Sequence, residues 1–493
     1  MMLDTLDRWA NSPKHRIIIF LFVAALIVRI AYCLINPNPY QGLIKGEMIA
    51  DAMEYDMLAR TLASGGGFGY YPDAPTAFRN PLLPFLMAGV YLFTGPHPVA
   101  AQGLMVVLGS LIPPVLFLLG RRIVEPVSAL LAAVAAVFYP SLVIFSVSTM
   151  SEVPFILLMI LTILYWYRFS SVARSGWGIV IWGGIFAGLA LLTRSVLGFL
   201  LPLWFFYLLV AGGPERWRHL LRYSLFCIVT VIVLLPWSIR NYAAFGEFSW
   251  ITSNGGFNLW HQHNLLSPDG TLYSRQDIQQ ELQRIHLLSK KRVAAGEDPV
   301  EVNRPFLASS VRGYLMRLGP EETEYVKSFD GLNELQVDRR LAKEAFTAIY
   351  KYPIRAAIKV IKNTIKFWDP FHDPNLINRF RLYNLAYGIM APFLVWGLIL
   401  SLKQWRRYML FYLTIISFWA ISAISMHLER FRLPIDTIGL IFAATALIAL
   451  FRRNGKPWFP WVIIGVVVTV NLIIIIFAVP FFNNLRNTIH GIG

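Results

Sequence analysis

Charge is scarce in this chain: Asp, Glu, Lys and Arg make up 15% of its 493 residues, against about 25% in soluble domains. An ordinary water-soluble fold is excluded. Cysteine is nearly missing, and the two present, Cys33 and Cys227, both lie in apolar runs, so no disulfide or zinc framework can be read. No phosphate-cradling glycine loop, dinucleotide fingerprint, HExxH pair or nucleophile elbow occurs, which removes the commonest nucleotide, zinc and serine chemistries. His261 and His263 alternate in a loop, thin grounds for a metal ligand set. Neither a short repeat nor a pair of inverted halves is visible. No metal and no cofactor are expected.

What the chain has instead is apolar length. Hydrophobic residues are 56% and mean hydropathy is +0.54. Runs near the ~20 residues needed to cross a bilayer recur, at 17–35, 98–119, 126–146, 153–169, 177–193, 195–211, 219–237, 384–402, 408–425, 433–451 and 459–482. The reading is an all-α polytopic membrane protein of about eleven spans. The first run is long and is followed by no small-residue cleavage site, so it reads as a retained span. Residues 81–95 are apolar but short, and read as re-entrant or interfacial.

The 44 basic residues against 28 acidic ones give +16, and many cations flank the apolar runs. With the N-terminus inside, the loops carrying Lys14 and Arg16, Arg121 and Arg122, Arg168 and Arg174, Arg216 to Arg222, Lys403 to Arg407 and Arg452 to Lys456 all fall on the inner side, as the positive-inside rule requires. Anionic head groups and a phosphate ligand, rather than nucleic acid, suit this balance. Two outer segments exceed mere connectors, dividing the chain into a membrane module 1–237 with its outer loop 36–97, an extracytoplasmic loop domain 238–383 and a second membrane module 384–493. The first loop holds an expected amphipathic helix, Met48–Ala63, then the turn-forming Gly65-Gly66-Gly67. The second is expected to be mostly helical over Glu334–Trp368, with Pro353–Phe367 patterned to lie in the head-group plane.

Five polar clusters carry the candidate chemistry. Asp51 and Tyr55 share a helix face, and a carboxylate just above a membrane suits a general base toward an acceptor hydroxyl. Asp51 also admits the reading of a solvated acidic face, which is the expectation for Glu54 and Asp56. Arg79, before Asn80-Pro81, either grips a phosphate or snorkels to head groups. Arg194 sits in a tight outer turn where charge placement gives it no work; it and Glu152 form either a structural pair or substrate contacts. Pro236-Trp237-Ser238-Ile239-Arg240-Asn241 leads to Asn254-Gly255-Gly256-Phe257-Asn258-Leu259-Trp260. There the glycines allow φ > 0 and close approach to a ligand, and Trp260 offers a flat face to a sugar; a turn and an aromatic belt explain them equally. Last, His427-Leu428-Glu429-Arg430-Phe431-Arg432 places two outer arginines toward an anionic partner, or toward Glu429.

In this order the clusters resemble the GT-C glycosyltransferases of the protein O-mannosyltransferase and aminoarabinose-transferase type (family 39). The matching stretches are Asp51-x-x-Glu54-Tyr55, Arg79-Asn80-Pro81, Ser151-Glu152, Thr193-Arg194, Pro236-Trp237-x-x-Arg240-Asn241, Asn254-Gly255-Gly256-x-Asn258-Leu259-Trp260 and Glu429-Arg430-Phe431-Arg432-Leu433-Pro434. The resemblance implies a polyprenyl- or dolichyl-phosphate sugar donor, inversion at the anomeric carbon and an outer-loop aspartate, Asp51 here, as base. It leads to Arg79, Arg194, Arg240, Arg430 and Arg432 for the donor phosphate, and to Tyr55, Asp56, Glu152, Asn254, Asn258, Trp260, His427 and Glu429 for sugar or acceptor. Aminoarabinose transferases read Glu-Lys where this chain reads Arg79-Asn80, so arginine must supply the missing charge. The expected protein is an inner-membrane, multi-pass glycosyltransferase working on the extracytoplasmic face, on a lipid, glycan or protein acceptor. The other class in play is a non-catalytic lipid-glycan transporter or flippase.

Overall fold

The computed structural model describes residues 2–40, 50–171, 176–211, 216–264, 327–371, 384–425, 427–453 and 458–478, with scattered positions between 292 and 325. Met48, the end of the last expected span and much of 238–383 lie outside the described residues. The first half contains α1 (Met2–Ala10), α2 (Lys14–Ile35), α3 (Ala50–Ala63), α4 (Leu82–Thr94), α5 (Pro98–Ile123), α6 (Pro126–Phe138), α7 (Pro140–Phe145), α8 (Glu152–Ser171), α9 (Trp177–Thr193), α10 (Leu200–Ala211) and α11 (Arg216–Phe245). Then come α12 (Gly255–Gln262), α13 (Glu334–Lys351), α14 (Pro353–Trp368), α15 (Leu385–Ser401), α16 (Trp405–Ile424), α17 (Leu433–Arg453) and α18 (Phe459–Ile473). A two-stranded antiparallel ribbon pairs Gly69–Tyr71 with Ala74–Pro75.

The protein is a multi-pass, helical membrane protein. Among the described residues seven helical runs are long and apolar enough to cross a membrane, with Leu385–Ile424 counted as one. Four more apolar helices, including Leu82–Thr94 and Trp177–Thr193, are shorter. Breaks have local causes: Pro140 ends α6 and starts α7, because proline cannot donate to the preceding turn.

The bundle is built around α5, which packs on α2, α6 and α8, while α8 continues to α9 and α9 to α11. Gly184 and Gly188 let α9 and α11 meet closely, for a Cβ on Gly184 would stand 2.7 Å from the Phe226 carbonyl oxygen. Small residues four apart are the usual means of close helix contact in lipid. A second group, α15 and α17, packs on α6. The side chains left outward are aliphatic and aromatic, Ile19, Ile27, Ile232, Val466 and Trp461 among them. A water-soluble protein does not expose apolar surface this widely.

The loops sort by end. At one end Arg452 pairs with Asp7 and Glu125, Arg121 donates to Ala10, and Arg407 donates to Arg122. At the other, where α3 and the starts of α4 and α8 meet, are the acidic and basic residues of the candidate site.

Helix α14 has its apolar face outward: Ile354, Ile358, Ile361 and Ile365 are exposed. Its polar face is fixed inward, with Lys359 donating to the Gln262 carbonyl at 2.5 Å and Asn363 to those of Ala423 and Ser425. Burying an ammonium under an isoleucine stripe makes sense where the outside is lipid rather than water.

Candidate active site

Helix α3 departs from the sequence expectation. It is not an amphipathic surface helix with a solvated acidic face: positions 52 to 59 are all buried, with Glu54 1% and Asp56 0% exposed. Carboxylates in such a place need partners, and both have them. Asp56 accepts from the hydroxyls of Tyr40 (2.7 Å) and Tyr91 and from Arg60 (2.9 Å), which also binds Asp298. This set ties α3 to α4 and engages both Asp56 oxygens in the interior.

One turn earlier lies a second set. Arg79 Nη2 donates to Asp51 Oδ1 at 2.6 Å, and Arg79 Nε to Glu54 Oε2 at 2.7 Å. Tyr70 donates to the same Glu54 oxygen at 2.9 Å. Arg430, distant in sequence, donates through Nη2 to the other Asp51 oxygen. Arg194 Nη1 holds Glu152 Oε1 at 2.6 Å and reaches Ser151 at 3.3 Å. Arg430 Nε lies 3.5 Å from that same Glu152 oxygen. Phe431 joins the halves, with Arg194 centred 5.0 Å and Arg430 5.9 Å from its ring. Three carboxylates and three guanidiniums therefore form one neutral cluster. Asp51 remains 19% exposed, Arg430 16% and Arg194 20%.

Electrostatics divides the carboxylates. Burial alone would push Asp51 up, but the guanidiniums of Arg79 and Arg430 outweigh it and hold the carboxyl well below the aspartate range. Burial prevails at Glu54, which is raised despite Arg79 and Tyr70. Glu54 Oε1 and Glu152 Oε2 are buried without a hydrogen bond among the described residues.

The loop that presents Arg79 is clamped through its backbone. Arg240 donates to the Thr76 carbonyl at 2.8 Å and to that of Phe68 at 2.7 Å, while standing 4.9 Å over Trp237. Asn254 donates to the Phe78 carbonyl at 2.8 Å, and Glu334 accepts from Thr76 and the Ala77 N–H. Arg240 and Asn254 thus hold the loop. Beside it, a cavity of about 700 Å³ is lined by Phe68, Phe85, Leu192, Trp237 and Arg240.

Other expected residues lie elsewhere. Trp260 is 1% exposed, stacks on Tyr325 and donates to Glu344 at 3.1 Å, so its face is not open to a sugar. Gly255 and Gly256 do not take positive φ. They open α12, and a Cβ on Gly256 would fall 1.9 Å from the Asp338 carbonyl oxygen, so the close approach is to α13 rather than to a ligand. Asn258 is half-buried on α12. Arg432 is 2% exposed and bonds Asp436 and the carbonyls of Phe367 and Asp369. His427 bonds Ser422 at 2.7 Å, and Glu429 begins the 3₁₀ turn that carries Arg430. No cluster of metal-binding side chains occurs among the described residues.

Sequence reasoning undervalued Glu54 and missed Tyr70 and Phe431. Glu54 had a usable signal: it lies three residues from Asp51, on the same side of a helix.

Residues 73–239 match the dolichyl-phosphate-mannose-protein mannosyltransferase family. The archaeal oligosaccharyltransferase AglB of Archaeoglobus fulgidus, solved with an inhibitory peptide and a dolichol-phosphate, superposes with a TM-score of 0.51 at 15% identity, over 93% of this chain and 54% of that one. The Archaeoglobus fulgidus oligosaccharyltransferase tethered to an acceptor peptide gives 0.52 at 14% identity, over 97% and 55%. This chain thus spans about half the length of those oligosaccharyltransferases. ArnT of Cupriavidus metallidurans, bound to undecaprenyl phosphate, gives 0.40 at 14% identity over 88% and 80%, too loose a superposition to carry an argument. No curated protein matches the chain in sequence.

The chain shares the membrane fold of those oligosaccharyltransferases. The family match is confined to residues 73–239, about a third of the chain.

Proposed function

We propose that this protein is an inverting glycosyltransferase that moves one sugar from a polyprenyl-phosphate carrier to an acceptor hydroxyl on the extracytoplasmic side of the inner membrane. The observation that supports this most is Asp51 held between Arg79 and Arg430, with the Glu152–Arg194 pair adjoining. A departing lipid phosphate gains negative charge as the C–O bond breaks, and guanidiniums fixed beside it lower that barrier. Asp51 takes the proton of the attacking hydroxyl. The acceptor is a lipid, glycan or protein, met above the membrane. The apolar cavity at Phe68 and Trp237 opens beside the same loop and suits the isoprenoid end of the donor.

A transporter would use a charge buried at membrane depth, and α2 has one, Arg29. It donates to Ser146 at 3.0 Å and to the carbonyls of Ala25 and Val137. Val137 lies in the last turn of α6, before its proline break, so Arg29 has a structural task there. The deciding experiment is sugar transfer by the purified protein in detergent, where no second compartment exists, from a panel of polyprenyl-phosphate sugars. Transfer supports the enzyme; no transfer from any donor favours the transporter.

A further inference from the structure

The three guanidiniums of the cluster are not equally committed. Arg79 is held by two carboxylates, at 2.6 and 2.7 Å, and lies between the rings of Tyr55 (5.7 Å) and Phe78 (5.2 Å). Arg194 is held by Glu152 and Ser151. Arg430 has one aligned bond, to Asp51; its Nε faces Glu152 at 3.5 Å and is buried without a hydrogen bond among the described residues. It also stands on a four-residue 3₁₀ turn, Glu429–Arg432, rather than inside a long helix. Both oxygens of Asp51 are engaged, one by each arginine.

We infer that Arg430 is a positioning residue that exchanges partners: it latches Asp51 in the empty site and moves to the phosphate of the lipid-linked donor when that arrives, freeing Asp51 to act. This rests on the glycosyltransferase reading above. Charge supports it. Asp51, Glu54 and Glu152 already neutralise Arg79, Arg194 and Arg430, so an entering phosphate has to compete with a carboxylate for a guanidinium. Of the two arginines on Asp51, Arg430 has the fewer aligned bonds and yields first, and Arg79, doubly held, stays as the fixed wall. Once freed, an Asp51 oxygen accepts the acceptor's proton as the acceptor oxygen bonds to the anomeric carbon. The bond from that carbon to the phosphate oxygen breaks, and its electron pair leaves on the phosphate beside Arg430. Donor therefore binds before an acceptor is activated, which spares the carrier sugar from premature attack.

The test follows from competition. Binding of sugar-free polyprenyl phosphate, and separately of inorganic phosphate, is titrated on purified wild type, Asp51→Asn and Arg430→Gln, with thermal unfolding to establish that each is folded. If Asp51 competes with phosphate, removing its charge tightens polyprenyl-phosphate binding by about fivefold or more, the usual scale of such coupling, and Arg430→Gln weakens it. Tightening for inorganic phosphate alone assigns the exchange to free phosphate and overturns the donor-gated form. Equal or weaker binding by a folded Asp51→Asn overturns the latch while leaving the enzyme reading intact. Absence of polyprenyl-phosphate binding in all three overturns both.

Discussion

Arg430 and Arg432 stand two residues apart in one short turn and end in opposite kinds of surroundings. Arg432 is closed in: Asp436 at 3.1 Å, two carbonyls at the end of α14, and the ring of Tyr387 3.4 Å below its guanidinium. Asp436 in turn accepts from Tyr139 at 3.0 Å, so this network bolts α14 and the α6–α7 break to α17. Arg430 meets Asp51 and Glu152 in a cluster that keeps some exposure and, among the described residues, leaves buried carboxylate oxygens without bonds. The same side-chain chemistry serves as a fastening where Nε and Nη1 are bonded and a ring covers the guanidinium, and, in the function proposed, as a reactive centre where some acceptors stay open. Satisfaction, more than charge, separates the two.

Breaking the open cluster is expected to give the largest effect. Asp51→Asn keeps shape but removes proton acceptance, and turnover should fall by about 10²–10⁴-fold with the protein still inserted and binding polyprenyl phosphate. Steady-state transfer beside a binding titration checks this. Arg194→Gln should lower kcat by about 10²-fold while raising KM less, because it removes charge stabilisation that grows in the transition state. Lysine should rescue it only in part, lacking the paired fork.

The pH profile sharpens the contrast further. With Arg79 and Arg430 holding Asp51 below the aspartate range, the free enzyme's base stays ionised well into acid, so kcat/KM loses activity only at low pH. If donor draws Arg430 away, the acid limb of kcat sits at higher pH than that of kcat/KM. Coincident limbs would argue against the exchange. In the closed network the readout is stability: Arg432→Ala strands Asp436 and should cost about 3–5 kcal/mol, seen as a large drop in the thermal midpoint. Smallest of all, Trp260→Phe loses its bond to Glu344, about 0.5–1.5 kcal/mol, and leaves donor and acceptor KM unchanged.

The membrane helices were legible because hydropathy is a local property, and so was the presence of α3, α13 and α14. What escaped was anything set by distant partners. The burial of α3 depends on Arg79, Tyr70 and Arg430, and the last stands 379 positions from Asp51. No local pattern distinguishes such a helix from an amphipathic one. Likewise Trp260 and Gly256 suited a ligand until α13 came to cover them. Arg430 and Arg432 were read as one feature because sequence gives no direction to two side chains in a 3₁₀ turn.

The most direct measurement sets Arg430→Gln against Arg432→Gln in the same detergent preparation, recording sugar transfer and thermal midpoint for each. Arg430→Gln is expected to stay near the wild-type midpoint and lose about 10²–10³-fold in kcat, whereas Arg432→Gln loses midpoint first and retains chemistry in whatever fraction stays folded. A stable Arg432→Gln without turnover beside a fully active Arg430→Gln would contradict this.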